Sequence, residues 1–540
     1  MEQVRDGNSR HNIFEGFKSF YNENKLMCFS ALLCMILMYG KHAFTTNYLF
    51  DTDDLLYHTT DSTINWLQIG RQGNVLTQKV FGLLWYNPYF VGALCLVLFP
   101  VVIFFMTYLF YQAGLNKSKV SLYCFVFLTM TSPIWVYQFY FSLQWFEMVW
   151  ALFLITFVQF LVWRMFADAK WRKQKIYKTA ILFLAEIFLL NWVFSTYQTY
   201  VIVFIFMSAG IYLISMVNEK DNFNEKEFGY RLGYLVVLFL ASYVINMLIS
   251  DKFFTSSDYV TGMTVWGKAS SEEILSQLKM YLFRCHTGKD MQYSALMGIG
   301  AVFMLMEIVF VWIQKKNKIW YKILFLLASL AVWMSAHALN IYTGRVLMIR
   351  AQIVYPFVLG YQIMFLLWCI RENEISDLIG KVKYVGILLF AVIGIWIQMG
   401  NVFRLWYTED MKCKADTLIL QKVNMAVDSL NLYGEEKNLP MAFVGNYSPT
   451  LNSGCINTKE NMYWMNDASI GMSCWERVNE QPNRLIRIMS SHFGVDYVRL
   501  SSDEQENLAR ENAHDMPSYP YNGFVQVRDG MIIVKMSDDY

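Results

Sequence analysis

The sequence predicts a polytopic all-α membrane bundle of about eleven transmembrane helices, followed by a small C-terminal α/β domain. Three observations lead there. Hydrophobic residues fill 56 % of the 540 positions and charged ones only 16 %, well below the roughly 25 % charge of a soluble globular chain. Apolar runs of bilayer-spanning length recur from residue 26 to residue 403 and then stop. The chain also carries 17 Trp and 34 Tyr, amphipathic rings that anchor helices at the two membrane interfaces. A net charge of +2 leaves no concentrated basic face, so nucleic acid is excluded as a partner.

A span needs roughly 20 apolar residues to cross about 30 Å of hydrocarbon. Read with that ruler, the spans fall near 26–46, 88–112, 119–139, 143–165, 176–194, 197–217, 230–250, 294–314, 319–339, 350–370 and 384–403. The fifth and sixth abut, and the polar stretch Ser195-Thr196-Tyr197-Gln198-Thr199 is read as the turn between them. Lys and Arg number 22 in one set of alternate connections and 10 in the other, although the second set is longer. By the positive-inside rule the first set is cytoplasmic. The N-terminus, residues 1–25, is then cytoplasmic and the tail from 404 to 540 extracytoplasmic, in a plasma membrane. The first apolar segment follows Arg5, Arg10, Lys18 and Lys25 and lacks a small-x-small cleavage pattern, so it is read as a retained anchor.

Two connections on the extracytoplasmic side are long, 47–87 and 251–292. In the first, Ile64, Trp66, Leu67, Val75, Leu76, Val80, Phe81 and Leu84 recur at helical spacing between polar residues, the pattern of two short interfacial helices. After Arg404 hydropathy falls. The tail reads as helix at 410–432, strand at 441–444, helix at 483–493, strand at 497–500, helix at 503–512 and two short strands at 524–527 and 532–535. Nine cysteines are scattered without CxxC or Cys/His pairs at metal-ligand spacing, so no zinc site is predicted. Cys455 and Cys474 are the pair that an extracytoplasmic compartment would allow to bridge.

Asp51, Asp53 and Asp54 cluster directly after the first span, at the outer membrane boundary. A solvated acidic turn is the bland account. The functional account is a general base within hydrogen-bond reach of a substrate hydroxyl, its pKa raised by like-charge neighbours. Paired acids of this kind also bind a divalent cation, Mg²⁺ or Mn²⁺, through oxygen. Arg71, Arg284, Lys289, Arg345 and Arg350 fall on the same face, with His337 at a span end. Interfacial snorkelling accounts for such cations one at a time. Arg345 and Arg350 nevertheless flank a span on the side that the charge bias disfavours, where a phosphate partner explains them. Glu186 and Glu307 fall within spans and Glu147 near a span end, where a hydrogen bond to a neighbouring helix serves as well as a function. The stretch 262–269 nearly matches a phosphate-binding loop but lacks the Ser/Thr that holds magnesium and follows no strand.

The order Asp53-Asp54, an amphipathic stretch, then Trp66 and Gly70-Arg71, resembles the bacterial type II glucosyltransferases that modify O-antigen and related surface glycans, membrane enzymes of GT-C type. The Tyr197-Gln198 turn is similar as well; Asp51 and the tail after Arg404 depart from the pattern. The resemblance implies a GT-C-like transmembrane domain over 26–403. It implies a hexose donor, glucose above all, carried on polyprenyl phosphate and presented at the outer leaflet, with a donor synthase and a flippase as partners. The acceptor it implies is a growing lipid-linked or cell-surface glycan. In that setting Asp53 or Asp54 is the base, and Asp51, Trp66, Arg71, Arg284, Lys289, His337, Arg345 and Arg350 line the substrates. The rival reading is a lipid or glycan transporter; such folds carry paired repeats and helix breaks at mid-membrane, whereas here the polar residues collect at one face.

Overall fold

The computed structural model describes residues 13–45, 59–85, 87–167, 176–220, 223–253, 262–315, 317–374, 378–456, 470–481 and 483–540. Among them, nine helices are long and apolar enough to cross a membrane, and two shorter apolar helices complete the predicted series of segments. The protein is a membrane protein, and its helices alternate as follows.

Helix α1 (Ile13–Glu23) buries Phe20 among Phe104, Tyr108 and Tyr111, and leads into α2 (Lys25–Ala43), the first span. Two short helices follow, α3 (Thr59–Gln68) and α4 (Gln72–Phe81), where the amphipathic pattern predicts them. Next come α5 (Pro88–Ala113), α6 (Lys119–Met130), the single-turn α7 (Ile134–Phe139) and α8 (Trp145–Ala167). Residues 131–133 interrupt what reads in the sequence as one span over 119–139: Pro133 cannot donate the hydrogen bond a helix needs there. Helices α9 (Ile176–Phe194) and α10 (Tyr200–Asn218) are joined by the turn at 195–199, as expected.

The bundle continues with α11 (Glu225–Phe253), α12 (Ser271–Thr287), α13 (Leu296–Ile313), α14 (Ile319–Ser335), the short α15 (Ala338–Thr343) and α16 (Val354–Glu374). The candidate span at 349–370 is wholly buried, and α16 packs on α6, α10 and α13 as the axis of the bundle. Tyr361 and Phe357 of α16 meet Phe110, Phe206 and Trp135 in edge-to-face pairs and stacks. The spans in α9, α11 and α17 (Leu378–Asp428) lie mostly exposed, as lipid-facing helices do.

The last helix of the bundle, α17, is one unbroken element of 51 residues. The fall in hydropathy at 404 marks a change of surroundings along α17, and its C-terminal half enters the core of the tail domain. That domain holds β1 (Pro440–Val444), α18 (Arg484–Phe493), β2 (Val498–Arg499), α19 (Asp503–Ala513), β3 (Val525–Arg528) and β4 (Met531–Lys535). The sheet runs β2-β1-β4-β3, with β1 parallel to both its neighbours and β3 antiparallel to β4. Side chains alternate across it. Phe443, Ile532 and Val534 face Val423 of α17 and Ile488 of α18, whereas Ala442, Val444 and Ile533 face Ala509 and Ala513 of α19. Cys455 and Cys474 are both free thiols.

Glycine permits one contact that shapes the working end. A Cβ on Gly73 would lie 2.3 Å from the Trp192 carbonyl and 2.6 Å from the Thr196 nitrogen. Gly73 N–H donates to the Ser195 carbonyl at 3.0 Å, and the Trp192 indole donates to Thr77 at 2.8 Å. Helix α4 is thereby pressed against the 195–199 turn. Gly73→Ala is expected to lower stability by about 1–3 kcal/mol through overpacking, despite the gain in helix propensity; thermal unfolding in detergent measures it.

Candidate active site

The acidic cluster Asp51, Asp53 and Asp54 lies outside the described residues. The chain leaves the described bundle at Thr45 and returns at Thr59. The departure point is held firmly. His42 stacks on Trp406 with ring centroids 3.8 Å apart, and its Nε2 lies 3.1 Å from the Phe139 carbonyl oxygen. Thr45 closes the end of α2 by donating its hydroxyl to the His42 carbonyl.

Beside that point, three short turns meet: 141–144, 195–199 and 349–352. Arg71, at the start of α4, donates to Gln144 Oε1 at 3.3 Å, and its guanidinium lies 5.0 Å from the centre of the Tyr197 ring. Arg350 meets the other end of the same turn, its guanidinium 4.0 Å from the centre of the Phe141 ring, with a contact to Met348 Sδ at 3.1 Å. Thr199 donates to the Ala351 carbonyl at 3.2 Å and ties the second turn to the third. Two arginines from connections some 280 residues apart in the chain thus flank one buried turn. Stacked guanidiniums keep their forked donors oriented, the arrangement that suits a phosphate.

Trp66 is buried against Val75 and Leu143, and its carbonyl accepts the Arg71 N–H at 2.8 Å. That backbone bond ties Arg71, at the start of α4, to the end of α3. The other predicted residues gather around α12. Arg284 is paired with Asp290 at 2.6 Å, both largely buried. Burial pushes the Asp290 carboxyl up, and the Arg284 guanidinium opposes that shift. Lys289 is exposed beside this pair, and Arg345 is half-buried, its carbonyl accepting from Thr343 at 3.2 Å. His337 is fully buried against Tyr281. Gln352 joins the two groups: it accepts from Tyr293 at 2.8 Å and donates to the Leu347 carbonyl at 2.9 Å.

Gln144 and Gln352 escaped sequence reasoning because a buried amide carries no periodic signal. Glu147, one turn along α8 from Gln144, is buried beside Gln78 of α4. Glu186 does what a lone carboxylate in a span does: it accepts from Tyr234 of α11 at 2.5 Å. The segment 262–269 serves as a cap on α15, with Val265 N–H on the Thr343 carbonyl and the Trp266 indole on the Ile341 carbonyl, both at 2.9 Å. A small cleft lined by Gln159, Ser208, Tyr212 and Arg231 lies toward the opposite end of the bundle.

Fold and site define a polytopic membrane protein whose arginine- and amide-bearing turns gather at one end of a helical bundle. The glucosyl transferase GtrII family model matches residues 42–367, well over half of the chain, and the chain belongs to that family. It is a glycosyltransferase. No curated protein and no solved structure matches it.

Proposed function

We propose that the protein transfers a hexose, glucose in the first place, from a polyprenyl-phosphate donor to a lipid-linked or cell-surface glycan at the extracytoplasmic face of the plasma membrane. The observation that carries this reading is the placement of Arg71 and Arg350 on either side of the 141–144 turn, next to the point where the chain departs for the acidic loop.

The chemistry asks for little more. A polyprenyl phosphate leaves readily once its developing charge meets fixed cations, so no strong general acid is required. The acceptor hydroxyl attacks the anomeric carbon as the bond from that carbon to the phosphate oxygen breaks. Its proton passes to Asp54 or Asp53. A single in-line displacement inverts the anomeric configuration. Arg284 is ion-paired with Asp290, and the phosphate is assigned to Arg71 and Arg350, whose guanidiniums lie over the Tyr197 and Phe141 rings. The tail domain, at the same end of the bundle as the site, shapes the acceptor side.

The test is incubation of the purified protein with a panel of polyprenyl-phosphate hexoses and a glycan acceptor. Consumption of the glucosyl donor, release of polyprenyl phosphate and an inverted anomeric signal by NMR are expected. Consumption of none of the donors would overturn the reading. Arg71→Ala and Arg350→Ala should each raise the KM for donor about 10–100-fold, the effect of losing one hydrogen bond to a charged group. Arg350→Lys should restore little, because an ammonium neither stacks on Phe141 nor presents a planar fork; steady-state kinetics on the three variants decide it.

A further inference from the structure

At the C-terminal end of α12, Cys285 and His286 meet His337, which lies between α14 and α15. One donor atom from each, a thiol and two imidazole nitrogens, falls within 4.8 Å of the others, the only such group of metal-ligating side chains among the described residues. The adjacent pair Cys285-His286 has no recognisable ligand spacing in the sequence, and the third member lies about fifty residues on.

The protons around the two rings can be assigned from their partners. The Tyr281 hydroxyl donates its only proton to the Ala336 carbonyl at 3.2 Å, so toward His337 Nδ1, 3.1 Å away, it acts as an acceptor. With the hydroxyl proton on the Ala336 carbonyl, His337 carries its proton on Nδ1. Its Nε2 is then a bare lone pair, and that atom has no hydrogen-bond partner among the described residues although His337 is 0 % exposed. A buried lone pair with nothing to accept costs free energy unless something occupies it. A neutral imidazole whose far nitrogen is fixed by a hydroxyl is also the form in which histidine binds a metal.

His286 is poised differently. The Trp333 indole can only donate, and it donates to His286 Nε2 at 3.1 Å. The ring's proton is then on Nδ1 and goes to the Leu282 carbonyl at 2.8 Å. That Nδ1 stands 3.2 Å from Cys285 Sγ. Two ligands on tetrahedral zinc, with Zn–S ~2.3 Å and Zn–N ~2.0 Å, are separated by about 3.5 Å. The Cys285 backbone is also fixed, its carbonyl accepting from Tyr355 at 3.1 Å.

We propose that Cys285 Sγ, His286 Nδ1 and His337 Nε2 form a binding site for a zinc-class metal ion, with the fourth position left to water. Binding releases the thiol proton. The His286 proton moves from Nδ1 to Nε2, which breaks the hydrogen bond from Trp333. The ion then staples α12, which carries Arg284, to the junction of α14 and α15. The site is independent of the transfer chemistry proposed above.

Tag-free full-length protein in detergent, stripped with a chelator, is titrated with Co²⁺ as the spectroscopic probe and then displaced with Zn²⁺. One equivalent of Co²⁺ should produce a thiolate-to-cobalt charge-transfer band together with tetrahedral d–d bands. Cys285→Ser should abolish the charge-transfer band, and His337→Asn should weaken binding at least about 100-fold. Trp333→Phe should tighten binding about fivefold by removing the bond that holds His286 in the competing tautomer. Absence of the charge-transfer band in the wild-type protein overturns the site whether or not the variants fold. Its persistence in Cys285→Ser, or unchanged affinity in His337→Asn, overturns it as well. Equal or weaker binding by Trp333→Phe overturns the assignment of Nδ1.

Discussion

Asp54→Asn and Asp53→Asn are each expected to cut sugar transfer by at least about 100-fold, the lower end of what a positioned general base contributes. The loss should fall on kcat. Asparagine is nearly isosteric and keeps a hydrogen-bond acceptor, so acceptor binding survives, but its amide cannot take the proton from the attacking hydroxyl. Donor affinity should be unchanged, since the phosphate is assigned to Arg71 and Arg350 and not to the carboxylates. Membrane insertion should also be unchanged, because the substituted positions follow the end of the apolar span α2 at Ala43. Whichever substitution leaves the smaller residual rate identifies the base. Full activity in both variants, assayed as transfer from radiolabelled donor, would remove the carboxylates from the mechanism.

Lys412→Met should destabilise the purified protein by about 3–5 kcal/mol, the cost of breaking a buried ion pair from one side. Lys412, on α17, has a side chain 2 % exposed and lies 2.7 Å from Glu409 Oε1 and 4.0 Å from Asp416 Oδ2, both of them 0 % exposed. The two carboxylates hold the tail in turn. Glu409 accepts the Gly471 N–H at 2.8 Å; Asp416 accepts the Ser473 hydroxyl at 2.5 Å and the Cys474 N–H at 3.1 Å. Removing the ammonium leaves two buried carboxylates about two turns apart on α17 without the cation that bridges them. Replacing all three by Gln, Met and Asn should recover most of the loss, because the neutral side chains no longer carry the cost of burying unpaired charge. Denaturant unfolding in detergent measures both; wild-type stability in Lys412→Met would show that the network contributes nothing.

The fold was legible wherever hydrophobic period and length decide it. The apolar segments, the short amphipathic helices α3 and α4 and the strands of the tail all fall within a few residues of their predicted positions. Two departures have local causes. Pro133 splits the predicted third span into α6 and α7, and the polarity change at Arg404 is a change of medium along one helix, since a helix needs no apolar surface where a protein core replaces lipid. The site was legible only in part. Arg71 and Arg350 could be named because charge on a disfavoured face stands out, but their convergence on one turn depends on tertiary packing. Trp66 stands out by its place in the family-like order and Arg284 by its charge on that face; what the sequence does not show is that Trp66 packs on Val75 and Leu143 and that Arg284 pairs with Asp290. Cys285 and His286 lie side by side in the chain, and what singles them out is His337, which no spacing rule could have paired with them.

Helix α17 passes from bundle to tail domain without a joint, so the two cannot swing independently. At about 1.5 Å per residue the helix is some 76 Å long, and each residue advances its face by about 100°. The catalytic end of the bundle and the soluble domain are therefore geared: inserting one residue between 404 and 408 would turn the whole domain through more than a right angle while shifting it outward by barely the width of an atom. The spacing between membrane and domain is consequently much more tolerant of evolutionary change than its azimuth, and length changes in this strut should be accepted only in steps close to whole helical turns.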